Sequence, residues 1–79
     1  MSMIADLVEY LAKALVDDPD SVKVEEDRMG DRVEVRLLVA DDDRGKVIGR
    51  GGRIAGSMRQ LVKVAAVRED VRVSLDIPD

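Results

Sequence analysis

The sequence predicts an α+β domain in the order αββααβ, a three-stranded mixed sheet with three helices packed on one face. Three observations carry this. Residues 3–16 and 53–68 repeat apolar side chains at helical spacing. Residues 21–27, 32–40 and 70–77 alternate apolar and polar at the period of a strand. Between the second and third strands lie a short helical stretch and the long one. A crossover of that length makes those strands parallel neighbours, with right-handed connection. The first two strands are separated only by a turn and pair as a hairpin.

Taken in order, Ile4, Leu7, Val8, Leu11 and Leu15 form the apolar stripe of the first helix, and Ser2 is placed to cap it. Asp17-Asp18-Pro19-Asp20 ends it, because proline disfavours helix in the residue before it. Val22 and Val24 share one face of the first strand. Arg28-Met29-Gly30-Asp31 turns the chain. Val33, Val35, Leu37 and Val39 point inward from the second strand, while Arg32, Glu34, Arg36 and Leu38 point outward. Asp41-Asp42-Asp43 reads as cap and dipole complement of a short helix over 42–48. A metal site is the weaker reading, since hard cations need several oxygens converging from a folded loop. Val47 and Ile48 anchor the short helix. On the long helix, Ile54, Met58, Leu61, Val62 and Ala65 make the buried stripe, with Met58 as core filling. Val71, Val73, Leu75 and Ile77 point inward from the last strand.

Seventy-nine residues make one domain, 1–79, with a modest core. No cysteine and no histidine occur, which removes the usual metal ligands and the commonest general base. Four serines lack an evident activator, so no enzyme is expected and no cofactor. No stretch approaches a membrane span, and the N-terminus lacks a signal-peptide layout, so a cytoplasmic protein is expected. The net charge of −4 is unevenly spread. Residues 44–68 hold seven bases and no acid, while residues 1–43 carry a net −8. A solvated basic helix face would account for this, as would a local anion site inside a short screening length.

Val47-Ile-Gly-Arg-Gly-Gly-Arg-Ile54 is the stretch that bears on function. Gly49, Gly51 and Gly52 free the backbone to turn and leave no Cβ to hold a ligand away. The positive end of the following helix dipole lies behind them, and Arg50 and Arg53 add two guanidinium groups. A plain helix–helix turn is the bland reading. A mononucleotide loop needs Gly-x-x-x-x-Gly-Lys with Ser or Thr, and no window supplies it. A dinucleotide fingerprint fails because the window from Gly49 ends in Ile54. A Gly-x-x-Gly loop clamping about four nucleotides is the third reading.

Val-Ile-Gly-x-x-Gly-Arg between helical segments resembles the signature of KH domains, with Gly49 and Gly52 as framework glycines. The element order, with this loop between the second and third helices, resembles the type II KH fold over the whole chain. Leu7 to Leu11, Asp43 to Arg50 and Arg53 to Arg59 are similar to stretches of the small bacterial single-KH RNA-binding proteins, the KhpA family. Ala55 and Gly56 depart from the pattern, where many KH domains carry a large aliphatic and a polar residue.

The resemblance implies binding of single-stranded RNA, as an RNA chaperone or post-transcriptional regulator. On that reading the backbone of Gly49, Arg50, Gly51 and Gly52 approaches phosphates, and Lys46, Arg50 and Arg53 neutralise them. Ile48 and Ile54, with Leu38 and Val39, line a groove for bases. No Phe or Trp is present, and Tyr10 reads as a packing or surface residue, so aromatic stacking is not the mode. The alternative is a protein-interaction module whose KH fold has lost RNA binding. The resemblance also implies a homodimer, or a heterodimer with a larger Jag-type KH-containing protein. Spacing on the long helix offers a surface for a two-fold dimer: Gly56, Gln60, Val64 and Val67 share a face away from the buried stripe.

Overall fold

The computed structural model describes residues 2–78. The first helix, α1, runs Met3–Leu15. Its cap is the expected one: the Ala5 N–H donates to Ser2 Oγ at 3.1 Å, a contact worth about 1 kcal/mol. The same hydroxyl donates to Glu26 Oε1 at 2.5 Å, fastening the helix start to the sheet. The buried face differs from the stripe expected. Ile4, Ala5, Val8 and Ala12 are buried, Leu7 and Leu11 are half-buried, and Leu15 is 38% exposed. The cause is close packing: α1 lies against the sheet and also against the long helix. Ala5 and Ala12 let the backbones approach where leucine would hold them apart.

The sheet has strands β1 (Lys23–Met29), β2 (Arg32–Leu38) and β3 (Arg72–Asp76), in that spatial order. β1 and β2 pair antiparallel from Lys23↔Leu38 to Met29↔Arg32, so Gly30 and Asp31 alone make the turn. Gly30 takes φ +62, which glycine adopts without strain. β2 and β3 pair parallel from Arg32↔Arg72 to Arg36↔Asp76. Val33, Val35, Leu37 and Leu75 point inward and are buried, while Arg32, Glu34 and Arg36 face water. β3 starts later than the expected residue 70 because the end of α3 claims the preceding backbone. The Val71 N–H donates to the Ala66 carbonyl, and Asp70 turns the chain at φ +57.

The crossover from β2 to β3 is a 3-10 turn at Asp41–Asp43, helix α2 (Arg44–Ile48), and helix α3 (Arg53–Arg68). α3 has the expected bounds and runs unbroken through Gly56. It buries Ala55, Met58, Val62, Ala65 and Ala66. Leu61, expected in the core, is 48% exposed. At about 100° per residue it lies about a quarter-turn from the centre of the buried face, which Ala55 and Ala66 pull away from it. All three helices and the inward residues of all three strands join one hydrophobic cluster, so the sheet has one covered and one open face.

Candidate nucleic-acid interface

α2 has five residues, too few to be stable alone, so tertiary anchors must hold it. Val47 is one anchor, fully buried in the core. Asp43 is the other, a carboxylate 2% exposed. The Asp41–Asp43 run was expected to cap a helix over 42–48; the helix starts at Arg44, and Asp43, the residue before it, makes no side-chain cap bond. It reaches instead across the chain to the residues after α1. Oδ1 accepts the Asp17 N–H at 3.2 Å and Oδ2 accepts the Asp18 N–H at 3.0 Å. The Lys46 ammonium donates to Asp43 Oδ1 at 3.2 Å and stands 3.1 Å from Asp17 Oδ2. Burial pushes the Asp43 carboxyl up, but the Asp17 and Asp18 N–H groups and the ammonium outweigh it and hold its pKa below the usual value. Bonds to Asp17 and then Asp43 raise the Lys46 pKa.

The glycine loop follows. Gly49 sits at φ 76 and ψ 172, outside the range of ordinary L residues. A Cβ there would come within 2.7 Å of Ile54 Cγ1. Arg50–Gly52 form one 3-10 turn, closed by the Gly52 N–H on the Gly49 carbonyl at 3.1 Å. Gly51 and Gly52 have φ 65 and 77, and among the described residues a Cβ on either would meet nothing within 4 Å beyond its two chain neighbours. Gly52 precedes α3, and no side chain caps that helix start. The loop surface is therefore bare backbone at the positive end of a 16-residue helix. Arg50 and Arg53 are exposed beside it, and among the described residues neither forms an ion pair.

Ile48 and Ile54 flank the loop half-buried, each packed on the core with part of its surface open. Leu38 is half-buried and outside the core cluster, while Val39 packs against it. The structure adds a groove that sequence reading missed. Arg59, Val62 and Lys63 of α3 face Val73, Ser74 and Leu75 of β3 across a hollow of about 220 Å³. Arg59 Nε donates to the Leu75 carbonyl at 3.1 Å, on the open edge of the sheet. Arg59 and Lys63 belong to the acid-free stretch 44–68, the one sequence signal that marks this wall. On the outward side of α3, Gln60, Val64 and Val67 are exposed with Leu61, and Gly56 is half-buried with open space where a Cβ would stand. Among the described residues no group of three or more acidic, His or Cys side chains is placed to hold a metal.

The sequence profile of the family described as "KhpA/KhpB, KH domain" matches residues 5–77. An RNA-binding protein KhpA from Caldanaerobacter subterraneus subsp. tengcongensis is 49% identical over 94% of this chain and 99% of its own. One from Treponema pallidum is 41% identical over 100% and 99%. Among solved structures, Aquifex aeolicus Era bound to GDP·AlF4− superposes with TM-score 0.66 at 17% identity. The match covers 95% of this chain and 29% of that one, and it speaks for the fold alone. With the profile spanning nearly every described residue and relatives matching end to end, the chain belongs to the KhpA/KhpB family of KH-domain proteins.

Proposed function

We propose that this protein binds single-stranded RNA through the Gly49–Gly52 loop. The observation that carries the reading is the loop itself: three glycines at positive φ, two with open space above them, beside Arg50 and Arg53 at a helix start, neither in an ion pair among the described residues. The names of the KhpA relatives support it. Phosphates pass over the loop beside Arg50 and Arg53, and bases turn toward Ile48, Ile54 and the groove walled by Arg59 and Lys63. Without aromatic platforms the grip is weak and tolerant of sequence, which suits an RNA chaperone or post-transcriptional regulator acting in the cytoplasm. No described helix is long and apolar enough to cross a membrane. The outward face of α3 at Gly56, Gln60, Val64 and Val67 takes a second copy or a larger Jag-type KH protein.

Arg50→Asp with Gly51→Asp tests the loop. Aspartate tolerates the left-handed backbone at position 51, so folding survives. Two carboxylates then face the phosphates. Loss of binding to mixed single-stranded RNA, with native circular dichroism, is the expected result. Unchanged affinity would remove the loop from the interface and favour a KH fold kept for protein contacts.

A further inference from the structure

The Asp17–Asp43–Lys46 cluster has a task that the basic composition of the loop region conceals. Lys46 stands three residues before Gly49 and invites counting as a phosphate ligand. Its ammonium is instead held between Asp17 Oδ2 at 3.1 Å and Asp43 Oδ1 at 3.2 Å. Asp43 is buried and also receives two backbone N–H groups from the end of the α1 connection. Three parts of the chain therefore meet at one carboxylate: residues 17–18, the turn at Asp41–Asp43, and α2. That helix has only five residues and ends at Gly49. At about 1.5 Å per residue, the loop begins roughly 9 Å along the axis from Asp43. A shift at the carboxylate passes to the loop with little to absorb it.

We infer that Lys46 is a positioning residue for RNA binding: with Asp43 and Asp17 it fixes the angle at which α2 presents the glycine loop, and it is not a phosphate ligand. The inference rests on the RNA-binding reading of the loop. Two positive charges of the loop, Arg50 and Arg53, remain for phosphates. The local sum at the cluster is one negative charge, since two carboxylates enclose one ammonium.

Counterion release separates the two roles. Each phosphate contact on a single strand adds about −0.7 to the slope of log affinity against log salt. Lys46→Gln is expected to weaken binding to a single-stranded oligonucleotide several-fold while leaving that slope unchanged. Lys46→Arg, which keeps a cation between the carboxylates, retains native affinity. Asp17→Asn, at an exposed carboxylate, covers the event that Lys46→Gln fails to fold: it keeps the lysine and loosens the clamp, so binding weakens. A slope shallower by about 0.7 in Lys46→Gln would make Lys46 a phosphate ligand, and native or tighter binding by Asp17→Asn would leave it no positioning role; either overturns the assignment. Amide hydrogen exchange without RNA gives an independent reading. Residues 49–53 exchange faster in Lys46→Gln than in the native chain, while β2 does not. Equal exchange at the loop overturns the positioning role. A native chain that binds no RNA defeats the functional reading alone, and the exchange comparison still decides this one.

Discussion

Gly49 and Gly51 lie two residues apart and meet different constraints. Gly49 is fixed twice, by its backbone angles and by Ile54 behind it. Gly49→Ala is expected to cost about 1–3 kcal/mol in a urea titration, the usual range for a strained backbone position. Gly51 has open space above it and sits at φ 65, ψ 18, which asparagine adopts readily. Gly51→Asn should change stability by no more than about 0.5 kcal/mol, as surface substitutions do. A similar loss in both would mean that the loop is held by something other than these angles. Asp43 carries a pH signature. Its pKa is depressed from 3.8, so it binds its proton less readily in the folded chain than in the unfolded one. Its contribution is therefore complete above pH 3.8 and is lost as pH falls through the lower folded value. Lys46 has the opposite sign: its contribution is present below pH 10.5 and is lost as pH rises through the raised folded value. Between those limits neither of these two contributions changes with pH. Acid unfolding followed by circular dichroism should fall more steeply below pH 3.8 for the native chain than for Asp43→Asn. Superimposable curves would show that Asp43 adds no linkage.

Gly56 poses the question at the scale of the helix. It lies inside α3, where glycine costs about 1 kcal/mol relative to alanine, and among the described residues nothing beyond its two neighbours and the helix's own backbone stands within 4 Å of the missing Cβ. On the monomeric Val64→Lys, Val67→Lys background Gly56→Ala should therefore raise the urea midpoint by the equivalent of about 1 kcal/mol. A lowered midpoint would reveal a neighbour that the fold conceals. The elements themselves were largely legible. α3 was read with correct bounds because its apolar period is long and a glycine loop marks its start. The strands are legible because one face is buried and the other wet, which imposes alternation, although the expected 21–27 begins and ends two residues before β1 and the expected 32–40 overruns β2 by two. The facing of the helices was less legible, since alanine is nearly neutral in hydropathy. The buried positions of Ala5, Ala12, Ala55 and Ala66 are decided by how closely backbones approach. Two parts of the site were not legible for a different reason. The bonds of Asp43 to Asp17 and Asp18 span 26 and 25 residues, and the Arg59 groove depends on how α3 packs back on β3, the strand that follows it. No local pattern encodes either.

For the whole molecule, the open question is what covers the outward face of α3. Val64 is 60% and Val67 79% exposed, and Leu61, expected in the core, joins them at 48%. One exposed valine is ordinary, but two on one helix face, with Leu61 on its flank, form a strip rather than scatter. Gly56 stands near the start of the same outward side with room above it, so a second helix can come close there. Gln60 lies between them and can pair with its own copy across a two-fold axis. A chain of 79 residues has a small core, so burying this strip against a second copy also adds stability that the monomer lacks. Such a dimer carries two glycine loops, and a strand long enough to reach both gains avidity without any new contact. Light scattering across a size-exclusion peak should give twice 8.7 kDa for the native chain and a single 8.7 kDa for Val64→Lys with Val67→Lys. The same pair should leave the affinity for a four-nucleotide RNA unchanged and weaken binding to a long one. A dimer that survives both lysines would place the contact elsewhere, and the open edge of β1, with its unpaired backbone groups, is where it would be sought next.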